Sequence, residues 1–97
     1  MTKAIRNVHV FNGNTLSEIT NVVFENGYIM SVGPAIPFGS EVVDGRGMVL
    51  LPGKMNPKTK HFDIGVEAIE PGYHANFGLK EEHSNNMMTV WHHGVVE

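Results

Sequence analysis

Residues 23–33 read Val-Phe-Glu-Asn-Gly-Tyr-Ile-Met-Ser-Val-Gly, two short apolar runs separated by the dipeptide Asn26-Gly27. Both central residues of a type I′ turn need positive φ, and an Asn-Gly pair between apolar runs is the strongest short signal for a β-hairpin. Side chains alternate between the two faces of a strand, so Tyr28, Met30 and Val32 are expected to share one face of the second strand. The stretch therefore predicts an antiparallel hairpin.

Short strands separated by turn residues continue in both directions from this hairpin. Clusters of Gly, Pro, Asn and Asp recur about every 8 to 12 residues, which is typical of a β-sandwich or a β-barrel. The runs predicted as strands are residues 4–11, 19–25, 28–32, 41–44, 48–51, 75–80, 87–91 and 95–96.

The pattern changes after Pro52-Gly53, a turn dipeptide that is expected to close the preceding strand. Asn56 is a good helix cap and Pro57 suits the first helical position, so a short helix is predicted from Asn56 to about Asp63. We therefore expect a mainly β fold, a small β-sandwich in two packed layers with one short helix. Residues 1–97 are expected to form a single domain.

Composition excludes several classes of function. The 97-residue chain has a formal net charge of −3, and its seven basic residues form no stripe, so nucleic acid is not an expected partner. No apolar run is long enough for a signal peptide or a membrane span, which predicts a cytoplasmic protein without a membrane partner. The chain has no cysteine, so disulfides and thiolate metal ligands are excluded.

Four segments in the first half of the chain carry a resemblance to a known family. They are residues 5–13 (Ile-Arg-Asn-Val-His-Val-Phe-Asn-Gly), residues 23–33, residues 43–47 (Val-Asp-Gly-Arg-Gly) and residues 50–53 (Leu-Leu-Pro-Gly). In this order and spacing they resemble the N-terminal segment of the amidohydrolase superfamily, and most closely its imidazolonepropionase-like and dipeptidase-like subgroup. The resemblance implies that residues 1–53 form one part of a composite β-sandwich.

The second block, residues 54–97, resembles the C-terminal end of the same family. Asn56-Pro57-Lys58 is similar to the last short helix, and residues 65–72 are similar to a Gly-x-Ile-x-Pro-Gly turn. Ala75-Asn76-Phe77 is similar to an Ala-Asp-Leu strand start, with Asn in place of Asp. Residues 90–96 are similar to the closing hairpin, so the chain resembles the two ends of one enzyme joined together.

The part of the family between these two blocks is missing. It is a catalytic (β/α)₈ barrel of roughly 250 residues, whose first strand carries an Asp-x-His-x-His metal-binding signature, and this chain contains no His-x-His. The resemblance implies a parent hydrolase that acts on carbon–nitrogen bonds other than peptide bonds, or on related bonds, with zinc or a similar divalent metal. We expect this chain alone to be non-catalytic and to support an absent barrel, with no catalytic, cofactor-binding or metal-binding residues.

The six histidines raise one alternative, a small histidine-based metal binder. His92 and His93 are adjacent, so on a strand they point to opposite faces. His61 and Asp63 lie near the end of the predicted helix, and the remaining histidines are His9, His74 and His83. Solvated histidines or turn histidines are the simpler expectation.

Three further motifs have simple structural interpretations. The charged loop Glu81-Glu82-His83 is expected to be solvated rather than to hold a general base. Residues 44–47, Asp-Gly-Arg-Gly, lack the strand and helix of a phosphate-binding loop and predict a turn. Phe77 and Trp91 are expected to pack in the core rather than to line a ligand groove.

Loss of a barrel should uncover apolar surface on its companion domain. Methionine suits adaptable contacts, and the candidates for such a patch are Met48, Met55, Met87 and Met88, which would otherwise fill the core. An exposed patch predicts packing against a barrel domain or self-association. A stand-alone interaction module is therefore a further alternative to a supporting domain.

Overall fold

The computed structural model describes residues 1–65 and 68–97, which form strands, turns and loops without a helix. The strands of these residues are β1 (Lys3–Val10), β2 (Thr20–Glu25), β3 (Tyr28–Gly33), β4 (Glu41–Asp44), β5 (Met48–Met55), β6 (Phe62–Ile64), β7 (Phe77–Glu81), β8 (Thr89–His92) and β9 (Val95–Val96). Within the described residues, no helix is long and apolar enough to cross a membrane.

The Asn-Gly hairpin forms as predicted between β2 and β3. Asn26 and Gly27 have φ of 54° and 87°, the positive values that a type I′ turn requires. The register of the two strands shifts at Met30, which is an extra, bulged residue. The bulge reverses the alternation, so Val32 packs against the buried core and the prediction that it shares the exposed face of Tyr28 is wrong.

Strand β1 bends and takes part in two regions of the sheet. Its first half lies between β2, which is antiparallel to it, and β4, which is parallel, whereas His9 and Val10 pair with β5. At the bend, Asn7 has φ of 56°, a conformation that asparagine tolerates better than most residues. The Asn7 N–H donates to Oδ1 of Asn21 at 3.0 Å. From β5 the sheet continues through β7, β8 and β9, while β6 pairs with the far end of β5.

The sheet folds over, so that its two regions face each other across one core. In sheet order β2 and β7 are three steps apart, which would separate them by about 14 Å in a flat sheet. The ring centroids of Phe24 in β2 and Phe77 in β7 are instead 5.2 Å apart. Trp91 of β8 lies 6.2 Å from Phe24 and 5.4 Å from Phe77. The mainly β, sandwich-like fold is therefore confirmed.

The prediction of a short helix after Asn56 is wrong, because these residues form a turn and a strand instead. Asn56 does act as a cap, because its Oδ1 accepts the N–H groups of Lys58 at 2.9 Å and of Thr59 at 3.3 Å. The turn then ends at once: Lys60 has φ of 63°, and the Asn56 N–H donates to the His61 carbonyl at 2.7 Å. These residues offer no apolar stripe with which a helix could be buried. The segment closes a hairpin between β5 and β6 instead.

Strand β5 does not stop before Pro52-Gly53, as the sequence predicts, but continues to Met55. The strand changes its partner at this dipeptide: Pro52 pairs with Phe77 of β7, and Gly53 pairs with Ile64 of β6. Proline has no N–H to donate, but its carbonyl accepts the Gly65 N–H at 2.8 Å. The Pro-Gly dipeptide therefore marks a change of partner rather than the end of the strand.

We expect Phe77→Ala to lower the free energy of unfolding by about 3–5 kcal/mol, because it leaves a cavity where a fully buried ring joins the two regions of the sheet. Urea unfolding followed by the fluorescence of Trp91, the single tryptophan, measures this loss. Phe38→Ala is the matched control at a fully exposed ring and should change stability by less than about 0.5 kcal/mol. Equal losses in the two variants would contradict this core.

Candidate functional site

The hairpin of β5 and β6 spans the junction between the two blocks, residues 1–53 and 54–97. Lys54 pairs with Asp63, and the loop over residues 57–61 is exposed. Gly53 is buried beneath this hairpin, where an added Cβ would lie 2.1 Å from the backbone oxygen of Asp63. Because no side chain fits in that space, the local backbone depends on a glycine at the junction of the two blocks.

Two backbone hydrogen bonds fix the base of this hairpin. The Gly53 N–H donates to the Asn76 carbonyl at 3.1 Å, and the Gly65 N–H donates to the Pro52 carbonyl at 2.8 Å. Both bonds lie at the base of the hairpin, away from its exposed loop. Exposed loop tips are the positions at which folds best tolerate insertions.

A hollow of about 490 Å³ opens beside the junction. Phe62 and Met87 pack over Gly78, where an added Cβ would lie 2.9 Å and 2.8 Å from their nearest atoms. Leu51, Met55 and Ile64 extend the apolar lining, and the described residues around the hollow include no carboxylate. The other lining residues of the hollow are polar: Lys60, His61, Lys80, Asn85 and Asn86.

The loop beside this hollow is tied down by one lysine. The Lys80 ammonium donates to the carbonyl oxygens of Glu81 and Glu82, each at 3.3 Å, and of Ser84 at 2.9 Å. The side chains of Glu81, Glu82 and His83 are exposed, so this loop is solvated as predicted. All three of these acceptors are backbone carbonyls of the same loop.

Of the four methionines that were predicted either to form an exposed patch or to fill the core, some do each. Met48 packs against the buried core, whereas Met55 and Met87 are half-buried beside the 490 Å³ hollow. Met88 is 55% exposed and borders an adjoining hollow of about 390 Å³. Together with Ile64, also 55% exposed, these side chains give the junction an apolar surface.

A separate cluster lies beside the Asn26-Gly27 turn. The Nδ1 atoms of His74 and His93 are 2.8 Å apart, in a hydrogen bond where one imidazole donates and the other accepts. The ring centroid of Tyr28 lies 4.7 Å from that of His74 and 5.4 Å from that of His93. An isolated β-bridge between Tyr28 and His74 sets these two residues side by side.

The backbone holds His93 in place. The sequence predicts a turn over residues 92–94, but β8 continues through His92, so the turn before β9 has only two residues, His93 and Gly94, with φ of 50° and 80°. The His93 N–H donates to Oδ1 of the buried Asn76 at 2.7 Å. Its ring covers Gly27, where an added Cβ would lie 2.4 Å from Nε2. Sequence reasoning missed the contact with His74, because the two residues are 19 positions apart and no local pattern links them.

The other histidines do not join this pair. Nδ1 of His9 lies 2.8 Å from the Ser17 carbonyl, and His61, His83 and His92 are exposed. Within residues 1–65 and 68–97, no group of three or more His, Cys, Asp or Glu is placed to hold a metal ion. The described residues therefore do not fit the catalytic zinc of a hydrolase, which needs three protein ligands and an open position.

Two simple interpretations from the sequence are confirmed. Phe77 and Trp91 are 0% and 3% exposed and belong to the core. The predicted turn follows the last residue of β4, Asp44, whose Oδ1 accepts the Arg46 N–H at 3.1 Å, and the Met48 N–H donates to the Gly45 carbonyl at 2.9 Å.

The predicted Gly-x-Ile-x-Pro-Gly turn over residues 65–72 is described only in part, since Val66 and Glu67 lie outside the described residues. At its end the Gly72 N–H donates to the Ile29 carbonyl at 2.9 Å, which ties the second block to β3. Ile69 within this stretch is buried in the same core as Ile29.

Solved structures resemble part of this chain. Dihydropyrimidinase from Brevibacillus agri is 29% identical over 59% of the chain, with a TM-score of 0.51. A D-hydantoinase gives the same identity and coverage with a TM-score of 0.52. An amidohydrolase that is 24% identical over 56% of the chain, with a TM-score of 0.51, supports the fold alone. No protein-family profile and no curated protein matches the chain.

The chain spans only 12% of the dihydropyrimidinase and D-hydantoinase structures and 14% of the amidohydrolase structure. The resemblance to amidohydrolases that the sequence indicates is therefore confirmed, and it concerns a small part of those proteins. The imidazolonepropionase-like and dipeptidase-like subgroup stays a prediction.

We expect Gly53→Ala to lower the free energy of unfolding by about 1–3 kcal/mol, because the added Cβ would displace the Asp63 backbone and open the β5–β6 hairpin. Chemical denaturation measures the loss. Gly33→Ala is the matched control, since a Cβ at Gly33 has no atom within 4 Å. A Gly53→Ala variant as stable as this control would contradict the packing at the junction.

Proposed function

We propose that this chain is the supporting β-domain of a metal-dependent amidohydrolase and that it has no catalytic activity of its own. The parent enzyme would hydrolyse carbon–nitrogen bonds other than peptide bonds, or related bonds, in a (β/α)₈ barrel. The observation that carries the proposal is the match of more than half of this chain to about an eighth of dihydropyrimidinase and D-hydantoinase.

The pairing of the two blocks supports this role. Residues 48–53 of strand β5 belong to the first block, and within them the strand pairs with β1 of the same block and with β7 of the second block. Phe24 of the first block packs edge-on against Phe77 of the second, which buries apolar surface that neither block could bury alone. Two segments from the ends of a long chain would thus meet in one domain, and the barrel would extend from the junction at Gly53.

The apolar surface near the junction supports packing against a barrel. Met55, Phe62 and Met87 line the 490 Å³ hollow, and Ile64 and Met88 are more than half exposed beside it. An apolar surface of this kind is typical of a contact between domains. We propose that the parent's barrel covers this hollow.

The distribution of histidines and carboxylates also favours a supporting role. In the described parts of the chain, histidines and carboxylates do not form the three-ligand sets from which hydrolases build a metal centre. The parent's zinc or similar ion, its substrate pocket and its general base would all be held by the barrel. Cytoplasmic location stays a prediction.

The experiment is an assay of the purified chain with added zinc, on a dihydropyrimidine and a hydantoin. We expect no ring opening above the rate in buffer, because the described residues form no three-ligand zinc site that would hold a metal-bound water against a substrate. An intact dihydropyrimidinase assayed in parallel is the positive control. Turnover that rises with bound zinc and disappears on chelation would overturn the proposal.

Self-association is the competing function, since the same uncovered surface could bind a second copy. Sedimentation analysis of the assayed sample separates the two. A monomer would support the proposed supporting domain, whereas a stable dimer that Met88→Lys disrupts would favour a stand-alone interaction module.

A further inference from the structure

We propose that His74 and His93 form a two-histidine binding site for a divalent transition-metal ion of the Zn²⁺, Ni²⁺ and Cu²⁺ class. The site would lie beside the Asn26-Gly27 turn, in a hollow that Lys54 also lines. It is independent of the proposed supporting function, because an ion bound there requires no substrate chemistry.

The separation of the two nitrogens carries this proposal. Metal–imidazole bonds of 2.0–2.1 Å place two ligand nitrogens about 2.9 Å apart at a right angle and about 3.4 Å apart at a tetrahedral angle. The Nδ1 atoms of His74 and His93 are 2.8 Å apart. With bonds of that length the ion would lie beside the line that joins the two nitrogens, so both exposed rings would have to turn towards it and separate by a few tenths of an ångström.

Both ligands are held by backbone structure rather than by flexible loops. His74 is paired with Tyr28 through a β-bridge, and the neighbouring Ala75 N–H donates to the Gly27 carbonyl at 2.8 Å. His93 lies in a two-residue turn whose N–H is bound by Asn76. A site whose ligands are already in position loses little conformational entropy when it binds an ion.

The surroundings leave room for the rest of a coordination sphere. A hollow of about 260 Å³ borders both rings, with Lys54, Asn76 and His92 as its other lining residues. Each bound water occupies about 30 Å³, so several waters fit beside the ion. Tyr28 packs against both rings.

The donor set determines the class of ion. Two neutral imidazole nitrogens suit Zn²⁺, Ni²⁺ and Cu²⁺, and the order of affinities for such ligands favours Cu²⁺. Mg²⁺ and Ca²⁺ prefer oxygen ligands and should not bind here. The site differs from a structural zinc site because most of its coordination positions would be filled by water.

The test uses the full chain without a polyhistidine tag and zinc chloride as the probe. Calorimetry is expected to give one bound ion per chain, and NMR of the imidazole resonances should show the largest changes at His74 and His93. Magnesium chloride is the comparison salt and should leave both rings unchanged.

His74→Ala and His93→Ala are each expected to weaken zinc binding by at least about tenfold, since the loss of even an outer-sphere partner commonly costs 10–100-fold. His83→Ala is the matched control, because His83 is exposed and lies in another loop. His74→Ala keeps the test valid if the His93 turn fails to fold, since the His74 side chain is exposed. Equal zinc affinity in the wild type and the His74→Ala variant, no zinc binding, or ring changes confined to other histidines would each overturn the proposal.

Discussion

Strand β5 is the constraint on which the rest of the structure depends. One of its edges pairs with β1 of the first block, the other pairs with β7 of the second, and its far end pairs with β6. Leu50 at its centre is completely buried. A strand that is paired on both edges satisfies its backbone hydrogen bonds without water. The two blocks are thus joined by backbone pairing as well as by the covalent chain.

The aromatic core and the two candidate surfaces follow from this arrangement. Because the sheet folds over at β1, Phe24 meets Phe77 and Trp91, and the second block closes the core that the first leaves open. The end of β5 then lies beside the 490 Å³ hollow, which Met55 and Phe62 help to line. The same closure brings residues 72–76 against the Asn26-Gly27 turn and so places His74 beside His93.

Local patterns predicted the parts of this fold that depend on local chemistry. Asn26-Gly27 predicted its hairpin correctly, because the positive φ of a type I′ turn is a property of two residues. The prediction of a helix after Asn56 was wrong. A capping residue can start a turn, but a helix also needs an apolar face that it can bury. The prediction that the strand ends before Pro52 was wrong, because the change of partner from β7 to β6 depends on pairing with distant parts of the chain. The His74–His93 pair is likewise tertiary and has no signal in the sequence.

Native-state hydrogen exchange tests the central claim, that two blocks separated in a parent enzyme form one cooperative domain here. If β5 joins them, the amides of Val22 in the first block and Leu79 in the second should exchange through the same global opening. Their opening free energies should then converge as urea is added, and should fall together in Phe77→Ala. The contrary result is that the Leu79 amide exchanges through a separate opening of lower free energy that does not depend on urea, while the Val22 amide exchanges by global unfolding. That result would show that the two blocks do not unfold as one unit.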